Sequence, residues 1–145
     1  MIKELKSSDK YNITVLLALM SLFCFLLSLF RIWYSNTNMF IFFNWNLFLA
    51  FIPWAVSTVI SLNRKYQKNK FALVLLLFTW LLFFPNSPYV LTDLFHLRAR
   101  EPVPIWFDLV VILSFAWTAL IYGFISLAEI ENLLSKYMNR KCQRW

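Results

Sequence analysis

The chain has 145 residues, of which 61% are hydrophobic, 20% aromatic and only 14% charged, with one glycine, a formal net charge of +7 and a mean hydropathy of +0.62. So much apolar surface on so short a chain excludes a disordered segment and a single water-soluble core, and leaves lipid as the solvent. The two cysteines, Cys24 and Cys142, fall at different predicted depths, which argues against a disulfide between them, and no Cys/His spacing suggests zinc.

Crossing roughly 30 Å of hydrocarbon takes about 20 apolar residues in a helix. Four runs answer to that in chain order, and they predict an all-α, four-span bundle with spans at about 13–34, 39–62, 67–84 and 105–128. The first follows Lys3, Lys6 and Lys10, as in a signal peptide. No small-residue cleavage site follows it, so it reads as a retained helix. The second carries Asn44, Asn46 and Pro53. The third has the shortest apolar core, Phe71–Phe84, ended by Pro85; it spans only if Lys68 and Lys70 snorkel or the segment after it adds depth. The fourth carries Ser114, Thr118, Tyr122 and Ser126 at four-residue spacing, with Ala119 and Gly123 as a small-x-x-x-small pair. That pair predicts helix packing, or a homo-oligomer through span four. Beyond it, Ile130, Leu133, Leu134, Tyr137 and Met138 predict an amphipathic helix over about 129–143 on the inner membrane surface.

Lys and Arg set the orientation. With both termini and the loop after span two in the cytoplasm, 11 of the 14 basic residues are inside, and only Arg31, Arg98 and Arg100 are outside. The acidic residues divide as Glu4, Asp9, Glu129 and Glu131 inside against Asp93, Glu101 and Asp108 outside, which leaves the whole net charge inside. This basic rim calls for anionic lipid as a partner and argues against nucleic acid. The glycosylation pattern at Asn12–Thr14 falls at the cytoplasmic start of span one and stays unused.

The outer segment Phe83–Arg98 is the unusual one. Pro85 and Pro88 should break the third helix, Ser87 should cap a new one, and a short interfacial helix should run over about 88–98. On it Asp93, His96 and Arg100 share a face, and Asp108 and Arg31 lie at the same predicted depth. Two carboxylates, a histidine and a guanidinium suit a small polar or lipid-headgroup ligand. The candidate ligand-binding set is Arg31, Asn44, Asn86, Asp93, His96 and Asp108, with Asn44 chosen over Asn46 as the amide nearer the outside. If the cluster is catalytic, Asp93 and His96 are the acid/base candidates. A lone histidine weighs against a metal centre, and no spacing asks for a cofactor. The plainer alternative is a structural cluster in which Asp93 and Asp108 pair with Arg31 and Arg98 to hold the helix ends together.

Several stretches carry a resemblance: Arg31-x-Trp33; Asn44-x-Asn46-Leu47-x-Leu49-Ala50; Trp80-Leu81-x-Phe83-Phe84-Pro85-Asn86-Ser87-Pro88-Tyr89-x-Leu91-Thr92-Asp93-Leu94-x-His96-Leu97; and Phe107-Asp108-Leu109 with Ser114-Phe115-Ala116-Trp117. Over roughly residues 30–128 the chain resembles the membrane-protein family known as domain of unknown function 1361. The resemblance implies a multi-pass protein of the bacterial cell membrane. It implies no activity. Members of that family look longer, with further hydrophobic segments after the one matching span four, which leaves two expectations open: a short member, or a truncated one in which the 129–143 stretch is a loop leading to a fifth span. Three functional classes stand open: a ligand-handling outer site, a non-catalytic scaffold or accessory subunit, and an oligomeric transporter component.

Overall fold

The computed structural model describes residues 2–36, 38, 41–99 and 103–143, and for residues 2–7 and His96 the backbone alone. Expectations that rest on Arg100, Glu101 and Arg144, and on the side chains of Lys3, Glu4, Lys6 and His96, lie outside the described residues. The architecture is all-helical: α1 (Ile2–Ser35), α2 (Ile41–Leu62), α3 (Arg64–Lys68), α4 (Lys70–Phe83), α5 (Asn86–Tyr89), a 3-10 helix (Val90–His96) and α6 (Ile105–Cys142). Among the described residues, four stretches are long and apolar enough to cross a membrane: Ser8–Ser35, Ile41–Leu62, Lys70–Phe95 and Ile105–Cys142.

The helix ends follow local chemistry. α1 stops at Asn36, whose φ of 51° is the left-handed turn that asparagine tolerates, and whose N–H bonds the Ile32 carbonyl at 2.9 Å. α4 starts at Asn69, whose side-chain oxygen accepts from the N–H of Phe71 at 3.2 Å and of Ala72 at 3.5 Å.

As expected, the α-helix ends before Pro85, at Phe83, and a turn over residues 84–85 leads into α5. Phe84, Pro85 and Val90 all keep right-handed helical dihedrals, so the chain carries on from α4 through α5 into the 3-10 helix. Two departures from the regular hydrogen-bond ladder, and one regular four-residue bond, accompany this. Ser87 N–H bonds the Phe84 carbonyl at 3.1 Å, Tyr89 N–H bonds the Pro85 carbonyl at 3.1 Å, and the Asn86 amide donates to the Phe83 carbonyl at 3.0 Å. These bonds take up the carbonyls of Phe83, Phe84 and Pro85 within the chain, in keeping with what a span requires. The third span gains its missing length from this continuation. Ser87 is no N-cap: it lies within α5, buried against α6.

α6 is the hub and packs against α1, α2, α5 and the 3-10 helix. Its glycine has a specific use. A Cβ on Gly123 would lie 2.7 Å from the Ser87 Cβ, closer than packed carbons approach. Ala119 is fully buried within the chain as well, so the small-residue pair serves internal packing and is not free for a second copy. One apolar cluster lies toward the Arg31 end, with Phe43, Leu47, Ala50, Val90, Val111 and Phe115 among its members. The other gathers Ile60, Leu73, Trp80, Ile130 and Leu133 at the end holding the chain termini. Ile130 and Leu133 are therefore core residues, whereas Leu134, Tyr137 and Met138 on the same predicted face stay exposed. Residues 129–142 continue α6 as one unbroken helix.

Candidate functional site

α1 and α6 run antiparallel and are joined by polar contacts along their length. At one end Arg31 donates from Nε to Asp108 Oδ1 at 2.5 Å and from Nη2 to Oδ2 at 3.1 Å. Further along, Thr118 Oγ1 lies 3.3 Å from Cys24 Sγ, and Tyr122 Oη lies 2.8 Å from Ser21 Oγ. At the other end Lys10 Nζ lies 3.2 Å from Glu129 Oε1. Positions 10 and 31 on α1 and positions 108 and 129 on α6 differ by 21 residues on both helices. At about 1.5 Å per residue the two ion pairs stand roughly 32 Å apart, which is the thickness of the hydrocarbon layer.

The Arg31 end holds the predicted cluster. Arg31, Asp93, Asp108 and Asn46 are 2%, 1%, 3% and 5% exposed. Asn46 of α2 donates from Nδ2 to Asp93 Oδ2 at 3.0 Å, tying α2 to the 3-10 helix. The 3-10 winding buries Val90 and Asp93, three residues apart on one face, and turns Phe95 outward. His96 comes one 3-10 turn after Asp93 along the backbone.

Arg31 and Asp108 are thus brought together, and Asp93 lies in the same end of the bundle through Asn46. The other candidates separate from them. Asn44 turns to α1 and donates to Ser28 Oγ at 2.7 Å, so Asn46 is the amide facing the outer segment. Asn86 spends its amide on the Phe83 carbonyl of its own helix, and Arg98 is exposed. No group of three or more His, Cys, Asp or Glu side chains able to hold a metal occurs among the described residues.

A second, partly buried polar cluster lies at the Lys10 end. Glu129 Oε2 accepts from Ser57 Oγ at 2.6 Å and from Thr58 Oγ1 at 3.2 Å, beside the Lys10 contact. Glu129 is an expected inside charge, but as a helix-bridging group it was missed. A signal for it exists: Thr118, Tyr122 and Ser126 form a polar stripe, and Glu129 extends that stripe by three residues. Beyond it the Tyr137 hydroxyl bonds the Gln67 carbonyl, which brings the basic α3 against the basic end of α6.

Four apolar spans with polar bridges at both ends define a multi-pass helical membrane protein. Residues 45–145 match the model of the family described as a protein of unknown function, DUF1361. The chain belongs to that family. No curated protein and no solved structure matches it.

Proposed function

We propose that this chain is a non-catalytic membrane scaffold or accessory subunit, whose polar clusters hold its helices in register. The observation that carries this reading is the bidentate Arg31–Asp108 pair. The guanidinium fork gives Nε–H and one Nη2–H to this carboxylate in a dry interior, which fixes its orientation and sets its charge against that of α6. A single hydrogen bond from the Asn46 amide to Asp93 adds a second buried tie, between α2 and the 3-10 helix. The ligand-site and transporter readings gain less support. The polar stripe of α6 is covered by α1, α2 and α4, through Cys24, Ser21 and Trp80 among others.

The orientation belongs to the same proposal. The Lys10 end, which also holds α3 and the C-terminal end of α6 with Arg64, Lys65, Lys68, Lys70, Lys136, Arg140 and Lys141, is the cytoplasmic one, and its basic rim faces anionic headgroups of a bacterial cell membrane.

The test is to replace the pair by hydrocarbon, as Arg31→Met with Asp108→Leu. In a host strain lacking its own copy, the scaffold reading predicts that this paired variant restores the wild-type phenotype and the same cross-linked neighbours. A variant that is folded and inserted but fails to restore them would overturn the reading and favour a ligand at this cluster.

A further inference from the structure

Between α1 and α2 a groove of about 490 Å³ opens to the lipid side, with Tyr122 of α6 among its lining. Its walls are apolar, with Leu22, Phe25, Leu47 and Phe48 among them, and its volume falls within the range that holds small ligands. One wall residue is different in kind. Asn44 is only partly buried there, and its one hydrogen bond is the donation to Ser28 Oγ at 2.7 Å. A primary amide has a second N–H and a carbonyl oxygen to satisfy, and hydrocarbon satisfies neither. Among the described residues no partner takes them up.

Depth narrows the occupant. Ser28 lies three residues before Arg31 on α1, so Asn44 stands about one helical turn, roughly 4–5 Å, inside the charged edge of the span. That is the level at which the headgroup region gives way to hydrocarbon, and where a glycerolipid carries its ester carbonyls. The groove continues from there to Ser21 and Tyr122, near the middle of α1 between its two ion pairs. A ligand that matches both ends has a hydrogen-bond acceptor at the boundary and an alkyl chain running inward.

We infer that the groove is a specific seat for one acyl chain of a bilayer glycerolipid in the leaflet at the Arg31 end, with the chain between Leu22, Phe25, Leu47 and Phe48 and its ester carbonyl accepting from Asn44 Nδ2. The site is separate from the Arg31–Asp108 pair and goes beyond the scaffold reading. It stands or falls independently of that reading.

The experiment compares two probes that differ only at the ester. The purified protein is stripped of lipid and incubated with dioleoyl phosphatidylglycerol, or with its ether-linked dialkyl analogue of equal chain length. Retained lipid is then counted by native mass spectrometry. Wild type should retain the ester lipid about five-fold better, the factor that one hydrogen bond worth about 1 kcal/mol provides. Asn44→Leu should lose that preference while keeping its helix content and monodispersity. Leu22→Trp, which fills the groove from a lipid-facing position, should lose retention of both lipids and provides a second folded variant. Equal retention of ester and ether lipid by wild type would overturn the inference, as would a preference that survives Asn44→Leu. Displacement of the diester by an equal concentration of free oleic acid would overturn the assignment to a bilayer glycerolipid. A dimer cross-linked through cysteines placed at Phe25 and Phe48 would overturn it in favour of a second copy.

Discussion

Arg31 and Asp108 meet through two hydrogen bonds, of 2.5 and 3.1 Å, with both side chains shut off from the outside of the bundle. Lys10 and Glu129 repeat the contact 21 residues further along the same two helices. Two ion pairs at the two ends of one antiparallel helix pair fix its register, because slipping either helix by a turn separates both pairs by about 5 Å. α1 needs this. It packs little of its surface inside the chain, and in lipid an apolar helix gains no hydrophobic drive toward its neighbours.

Gly123 predicts a paired effect. Gly123→Ala sets a Cβ 2.7 Å from that of Ser87, so α5 and α6 must separate, at a cost of about 1–3 kcal/mol. Ser87→Ala leaves the clashing Cβ in place, whereas Ser87→Gly removes it. Thermal melting in detergent should therefore show Gly123→Ala rescued by Ser87→Gly and unrescued by Ser87→Ala.

Asn46 and Asn44 should behave differently although they lie two residues apart. Asn46→Leu leaves the buried Asp93 carboxylate without this donor, and should lower stability by about 1–3 kcal/mol. Asn44→Leu touches only Ser28 and a half-open groove, and should cost less. Equal losses in melts of the two variants would contradict the separation.

The two native cysteines report burial and sidedness. Cys142 is exposed near the end of α6, and Cys24 is buried against Thr118. A membrane-impermeant maleimide should label Cys142 in inverted membrane vesicles and spare it in right-side-out ones. Cys24 should be labelled only after denaturation. Labelling of Cys142 from the external side would reverse the proposed orientation.

The spans were legible because hydrocarbon thickness imposes a length and composition on each of them. The third was legible only in part. Its apolar core ends at Pro85, and no local rule states that the Asn86 side chain will take up the Phe83 carbonyl and let the chain carry on into α5. Arg31 with Asp108 could be anticipated as one of several pairings, since charges at one depth must find each other. Asn44 was chosen over Asn46 on depth, but direction decides which amide meets the outer segment. Helical periodicity separates their directions by roughly 200°, and only tertiary packing decides which direction faces α1 and which faces the 3-10 helix. Glu129 was hidden for a related reason. On the chain it reads as one more inside charge, and its partners Ser57 and Thr58 lie about 70 positions away.

The central claim is that the Arg31–Asp108 pair is a clamp between helices, and a double-mutant cycle in detergent thermal melts measures this most directly. Arg31→Met alone, or Asp108→Leu alone, strands one buried charge and should cost about 3–5 kcal/mol, while the paired replacement should return to near wild-type stability. Single variants as stable as wild type, or losses that simply add in the pair, would contradict the clamp.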